Sequence, residues 1–320
     1  MSTVLTLAAV PATAALLAAG WNRVRTIGRS ALVVLALLSV VAAVAVQVNR
    51  LTEAYPTEAV AATTAAGSSG SEMLSVTVRG PASGLSMPMF VYLPAAYRSG
   101  GGHFPVIEAL HGYPGTPLTW LRKLNVQSSL DRETAAGRIA PTVVLFPYQT
   151  PERLLDTECT NLHDGPQTET FLTVDVPAYA ATHFRVRTDR AAWGLTGYSA
   201  GAFCAINLSL RHPQQYAAAA SLSGYAEPGI NVGDGSQNTT NNPAWRLRHL
   251  PQPAIALWLG WAADDKESAH DSRRLAAEIH RPLASTTAVV AHGGHSSAVW
   301  RQMEAPAFDW LSAHLARPLP

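Results

Sequence analysis

Residues Gly197-Tyr198-Ser199-Ala200-Gly201 follow the apolar run Ala191-Ala192-Trp193-Gly194-Leu195 and lead directly into the helix-like stretch Ala202 to Leu210. Few short patterns restrict a fold so much. A strand must turn sharply into a helix within these five positions, and the glycines are needed because the two arms of such a turn nearly touch. The serine is left on strained backbone with its hydroxyl projecting from the sheet edge, which makes Ser199 a candidate nucleophile. A motif this short also arises by chance, so its partners must be sought elsewhere in the chain.

From Leu74 onward, short apolar runs alternate with longer amphipathic ones, the pattern of a mostly parallel sheet flanked by helices, an α/β fold. The spacing predicts eight strands: Leu74 to Val78, Met89 to Leu93, Val106 to Leu110, Thr142 to Phe146, Ala191 to Leu195, Ala218 to Leu222, Ile255 to Leu259 and Thr286 to Val290. Helices are predicted over Val126 to Ala136, Val174 to His183, Ala200 to His212, Ser268 to Ile279 and Ala298 to Leu315. Gly224 to Pro253 is rich in Pro, Gly and Asn without a clear period and reads as a loop or small lid.

Three further features suit a serine nucleophile, in the order such a site requires. The strand Val106 to Leu110 ends in His111-Gly112-Tyr113-Pro114-Gly115, whose glycines let backbone amides face an incoming carbonyl. The amides of Tyr113 and Ala200 are the candidate oxyanion donors. After Ile255 to Gly260 come Asp264 and Asp265, just before a helical pattern. One can orient an imidazole while the other caps the helix, and Asp265 is the favoured acid over Asp264. The last strand runs into His292-Gly293-Gly294-His295, where His295 is the candidate general base and His292 closes the strand. The H-x-x-H spacing has no third ligand cluster beside it, so no metal is read here, and the chemistry needs no cofactor. Trp120, Trp245, Trp258, Trp261 and Trp300 are candidates to line an acyl or aryl pocket.

The N-terminus is different in kind. Ala31 to Val48 is an uncharged run long enough to cross most of a hydrocarbon core, and a weaker run, residues 3–20, precedes it, with Arg23, Arg25 and Arg29 between them. The arginines favour a cytoplasmic loop. Residues 1–50 are therefore read as a membrane anchor, or alternatively as a cleaved signal peptide; both place the remainder outside the cytoplasm. Residues 51–72, rich in Ala, Thr, Ser and Gly, read as a flexible tether, and 73–317 as the globular domain. In an exported domain the two cysteines, Cys159 and Cys204, are best read as a disulfide, with Cys204 one helical turn beyond Ser199. A net charge of +1 and 14% charged residues, scattered along the chain, leave no basic face for nucleic acid.

With these motifs together, the chain from about Met73 to Leu315 resembles the esterase family of alpha/beta-hydrolases that contains esterase D-like S-formylglutathione hydrolases, feruloyl esterases and antigen 85 mycolyltransferases. The resemblance rests on His111-Gly112-Tyr113, Gly197-Tyr198-Ser199-Ala200-Gly201, Ala263-Asp264-Asp265 and Gly294-His295-Ser296. Asp156-Thr157-Glu158-Cys159 with Phe203-Cys204 looks like a membrane-anchored or secreted actinobacterial subset. The resemblance implies the alpha/beta-hydrolase fold and ester hydrolysis or acyl transfer through a serine acyl-enzyme. Tyr198 and Ala200 depart from the antigen 85 pattern, which argues against mycolyl transfer. The expected activity is a serine carboxylesterase acting on a small-molecule or lipid ester; the alternatives are an acyltransferase and a catalytically silent cell-envelope binding protein.

Overall fold

The computed structural model describes residues 13–15, 21, 26–52, 65–66 and 70–320. The chain divides into two units, Met1–Glu58 and Ala59–Pro320. In the first, helix α1 spans Thr26–Thr52, 27 residues, or about 40 Å at the α-helical rise. Leu37 and Val41 are each more than half exposed along it. Gly28–Asn49 is long and apolar enough to cross a membrane. The run expected at residues 3–20 lies outside the described residues except for 13–15, which are helical. The hydroxyls of Thr13 and Ser39 share a hydrogen bond of 3.0 Å.

The second unit is built on one nine-stranded sheet. Its strands are β1 Ala65–Ala66, β2 Glu72–Arg79, β3 Ser86–Leu93, β4 Val106–Leu110, β5 Val143–Pro147, β6 Trp193–Tyr198, β7 Ala218–Leu222, β8 Ala256–Ala262 and β9 Ala284–Val290. All eight expected strands are present. The two-residue β1, which falls within the expected tether, adds the ninth by pairing with β2. The order is β1-β2-β3-β5-β4-β6-β7-β8-β9. Pairing is antiparallel from β1 to β5 and parallel from β5 to β9.

Every residue of β4, β5, β6 and β7 is buried, as expected where both faces of a parallel sheet are covered. The helices α2 Val126–Ala135, α3 Val176–His183, α4 Ala200–Arg211, α5 Pro243–His249, α6 Lys266–Glu278 and α7 Ser297–His314 supply the cover. One core joins Ala219, Leu257 and Leu259 to residues of α3 through α6. The other joins Ala218, Ala220, Leu222 and Trp258 to Val126 and Leu130 of α2 and Val299, Met303 and Phe308 of α7. The alternation along β7 is the two-residue strand period dividing its side chains between the two layers.

After β4 the chain steps to β5 on one side and then returns to β6 on the other, so strand order reverses between β4 and β6. In open α/β sheets the crevice at such a reversal, outside the carboxyl ends of the strands, is where ligands bind. The carboxyl ends of β4, β6, β7, β8 and β9 carry His111 to Tyr113, Ser199, Ser223, Asp264 with Asp265, and Gly293 to His295 respectively.

Gly224 to Pro253, expected as a loop or lid, is irregular up to Asn242 apart from a 3-10 turn at Ser236–Asn238, and then forms α5. Asn242 caps this helix by accepting from Trp245 N at 2.9 Å, and Pro243 stands at its first turn. The irregular part is fastened by a buried carboxylate. Glu158 accepts from the Tyr225 hydroxyl at 2.7 Å and from Gly229 N at 2.9 Å.

Candidate active site

Ser199 sits between β6 and α4 with φ 55° and ψ −124°, a conformation that a residue with a Cβ holds only when its surroundings enforce it. The enforcement is visible. A Cβ on Gly197 would lie 2.1 Å from Gly201 O, and one on Gly201 would lie 2.4 Å from Leu110 O and 2.6 Å from His111 O. Ser199 N donates to Leu222 O at 3.0 Å, tying the turn to β7.

The structure brings Ser199, His295 and Asp265 into one chain of hydrogen bonds. His295 Nδ1 lies 2.8 Å from Asp265 Oδ2, and His295 Nε2 lies 2.8 Å from Ser199 Oγ. A carboxylate only accepts, so Nδ1 carries the proton and Nε2 is free to accept from the serine hydroxyl. The Asp265 side chain is 7% exposed against 41% for His295, so the acid is held within the fold while the imidazole meets solvent. Asp265 also caps α6, its Oδ1 accepting from Ser268 N at 3.4 Å. The Ser268 hydroxyl donates to Ser223 O at 3.2 Å and lies 3.4 Å from His295 Nδ1, on the Asp265 side of the ring.

The neighbouring Asp264 goes elsewhere. Its two oxygens accept from Gly293 N at 3.1 Å and Gly294 N at 2.9 Å. Those amides hold the Asp264 carboxyl below the usual carboxylate range. His292 is exposed and stands 3.8 Å from Asp264.

The turn after β4 lies against the serine: a Cβ on Gly112 would come within 3.1 Å of Ser199 Cβ. The N–H groups of Tyr113 and Ala200, the two candidate donors, make no backbone–backbone hydrogen bond among the turn and loop contacts of the described residues. His111, which sequence reasoning treats only as part of a motif, has a definable task. It is 2% exposed, and Gln149 N donates to its Nε2 at 3.3 Å. Nδ1 therefore bears the proton and donates to Gly112 O at 2.9 Å. Because C=O and N–H of a trans peptide point in opposite directions, fixing Gly112 O also fixes the direction of Tyr113 N–H. Burial pushes the His111 ring down to about 4, so it stays neutral and keeps this tautomer at neutral pH. The Tyr113 hydroxyl is anchored separately, donating to Leu154 O at 2.7 Å.

The tryptophans divide clearly. Trp120 is fully buried, with its ring 5.3 Å from that of Tyr198 and Nε1 donating to Leu110 O, and Trp258 and Trp261 are buried at β8. Trp245 stacks on His249. Trp300 alone of these is shown beside the histidine: it stacks on Tyr198 at 4.5 Å and turns its edge against the His295 ring at 5.2 Å. Cys159 and Cys204 are joined through their sulfurs, with Cα atoms 5.6 Å apart, so the loop after β5 is attached to α4 close behind Ser199. Gln149 Nε2 reaches Cys204 Sγ at 3.8 Å, placing the bond next to the His111 support.

A strand, a strained serine turn and a helix on a mostly parallel sheet, with a histidine reaching the serine from the last strand's loop, define an alpha/beta-hydrolase. The chain matches the family model described as Putative esterase over residues 81–316 and belongs to that family. Among curated proteins it is similar to an uncharacterised protein of Corynebacterium glutamicum, Cgl0967/cg1104, at 26% identity over 240 residues. That match covers 70% of this chain and 56% of the relative, so the chain spans little more than half of that protein's length. Among solved structures it is similar to a ferulic acid esterase, at TM-score 0.68 and 18% identity over 77% of this chain and 99% of that one. An S-formylglutathione hydrolase from Agrobacterium tumefaciens aligns at TM-score 0.67 and 14% identity over 80% and 99%. MPT51 of Mycobacterium tuberculosis aligns at 0.59 and 16% over 75% and 98%.

Proposed function

We propose that the protein is a serine carboxylesterase exported from the cytoplasm and tethered to the membrane, with Ser199, His295 and Asp265 as its triad. The observation that carries this reading is the pair of 2.8 Å contacts linking Ser199, His295 and Asp265. Ser199 Oγ attacks the ester carbonyl carbon as His295 Nε2 takes its proton, and Asp265 stabilises the imidazolium and holds its tautomer. The carbonyl oxygen, now negative, is received by the N–H groups of Tyr113 and Ala200; one such donor contributes about 3 kcal/mol of transition-state stabilisation. Collapse of the tetrahedral intermediate expels the alcohol, protonated by His295, and leaves the acyl-enzyme. Water, activated by His295, then attacks the acyl carbon and releases the acid. The exposure of His295 supports water as the acceptor in this step, and hence hydrolysis over transfer.

The exposed apolar surface of α1 supports the tether. The joined cysteines support an oxidising compartment for the domain, which we assign to residues 73–317. The test is a fluorophosphonate probe with p-nitrophenyl esters of graded chain length. Wild-type protein is expected to be labelled and to turn over, and Ser199→Ala to do neither. Labelling that persists in Ser199→Ala, or no reaction of the wild type, overturns the triad.

A further inference from the structure

Two adjacent side chains at the end of β8 reach the same loop by different routes. Asp265 grips the imidazole of His295, while Asp264 grips the backbone just before it, through the N–H groups of Gly293 and Gly294. The loop needs such a grip. Gly293 has φ 129° and Gly294 φ 59°, so both stand where side chains are rarely tolerated, and a glycine pair has the most backbone freedom to lose on ordering. Beyond the loop, the Ser296 hydroxyl donates to Gly293 O at 2.8 Å and its oxygen caps α7 by accepting from Val299 N. The carbonyl of Gly293 is thus held from the helix side and its N–H from the strand side. A Cβ on Gly293 would lie 2.4 Å from Val299 Cγ2, which leaves the loop little room to settle elsewhere on that side.

We propose that Asp264 is a positioning residue, whose carboxylate sets the place of the Gly293-Gly294 backbone and through it the distance from His295 Nε2 to Ser199 Oγ. The proposal rests on the reading of Ser199, His295 and Asp265 as the reacting groups. The Asp264 side chain hydrogen-bonds to the amides of Gly293 and Gly294 and acts through them. Both bonds are charge-assisted, and the pair forms a two-pronged clamp that fixes the direction as well as the position of the loop. Among the described residues, the charged or titratable group that pairs with it is His292, at 3.8 Å.

The experiment compares wild type, Asp264→Asn and Asp264→Ala by ester turnover and by amide hydrogen exchange of the 291–296 segment. A misplacement of about 1 Å at a reacting group costs on the order of 100-fold in rate. Asp264→Ala is therefore expected to lower kcat by roughly 10- to 100-fold, with KM changed by less than about threefold, and to speed exchange at Gly293 and Gly294. Asp264→Asn keeps one acceptor oxygen and should fall between the two in both readouts. Unchanged kcat in Asp264→Ala beside an active wild type overturns the proposal, as does a loss of rate that follows only the fraction unfolded. If the wild type itself has no turnover, the esterase reading fails instead. The exchange measurement then decides alone, and unaltered protection of Gly293 and Gly294 in Asp264→Ala overturns the clamp.

Discussion

Asp265 carries two tasks that a sequence presents as competing. Reading the Asp264-Asp265 pair as one acid and one helix cap divides the work between neighbours, yet the same Asp265 carboxylate meets His295 with one oxygen and Ser268 N with the other. That double use makes a clean test available. Asn is as good a cap as Asp, so Asp265→Asn should leave α6 and the melting temperature nearly unchanged. It should nevertheless lower kcat by about 10⁴-fold, because an amide can favour the wrong imidazole tautomer, as is known for the corresponding change in a serine protease. Thermal melts beside steady-state rates check both halves. The role of His111 was not legible in the sequence, since it depends on a buried contact with Gln149 from the end of a neighbouring strand. His292 and His295 were separable only by chain position, and it is the turn at Gly293 and Gly294 that sends them different ways.

At the scale of elements, the turn that opens α4 is the part most tightly specified. A methyl on Gly201 would press on the carbonyls of Leu110 and His111, both backbone, with no flexible side chain to yield. Gly201→Ala is expected to destabilise the domain by about 3 kcal/mol or more, a cost typical of backbone clashes and overpacking in a core, and to depress turnover with it. Denaturant unfolding measures the first effect. The strands were legible because their apolar runs are short and separated by turn residues; β4 and β7 fall at the expected residues. What escaped were short helical pieces whose signal is local chemistry rather than periodicity. The π-helical turns at Thr119–Lys123 and Phe171–Asp175 have no hydrophobic repeat long enough to declare them. For α5, the Asn242-Pro243 start was a readable helix signal, masked by the Gly- and Asn-rich residues around it.

For the whole molecule, buried ionisable groups set opposing limits on the pH range of stability. Burial raises Glu108 to about 8, Glu304 to about 8 and Glu158 to about 7. A carboxyl whose folded value is raised binds more protons in the folded than in the unfolded chain. Its contribution is fully present below about pH 4.5 and is lost as pH rises toward those values. His111 acts in the other direction. Its depressed value means that stability is kept above about 6.5 and lost as pH falls toward 4. Three raised carboxyls outweigh the one histidine, so the melting temperature should fall from about pH 5 toward pH 8.5, and Glu108→Gln should flatten that fall. A melting series across that range decides it; a rise in stability from pH 6 to 8.5 contradicts the assignment.

The Cys159–Cys204 link, with its sequence separation of 45, encloses α3, β6 and Ser199 within one covalent ring. A protease that cuts the backbone anywhere inside that ring opens the chain without dividing it. The nicked protein would keep Ser199 attached on both sides, run as a single band without reductant, and separate into two fragments with it. Proteolytic wear of the domain would thus pass unseen in any sizing assay that did not first break the sulfur bond.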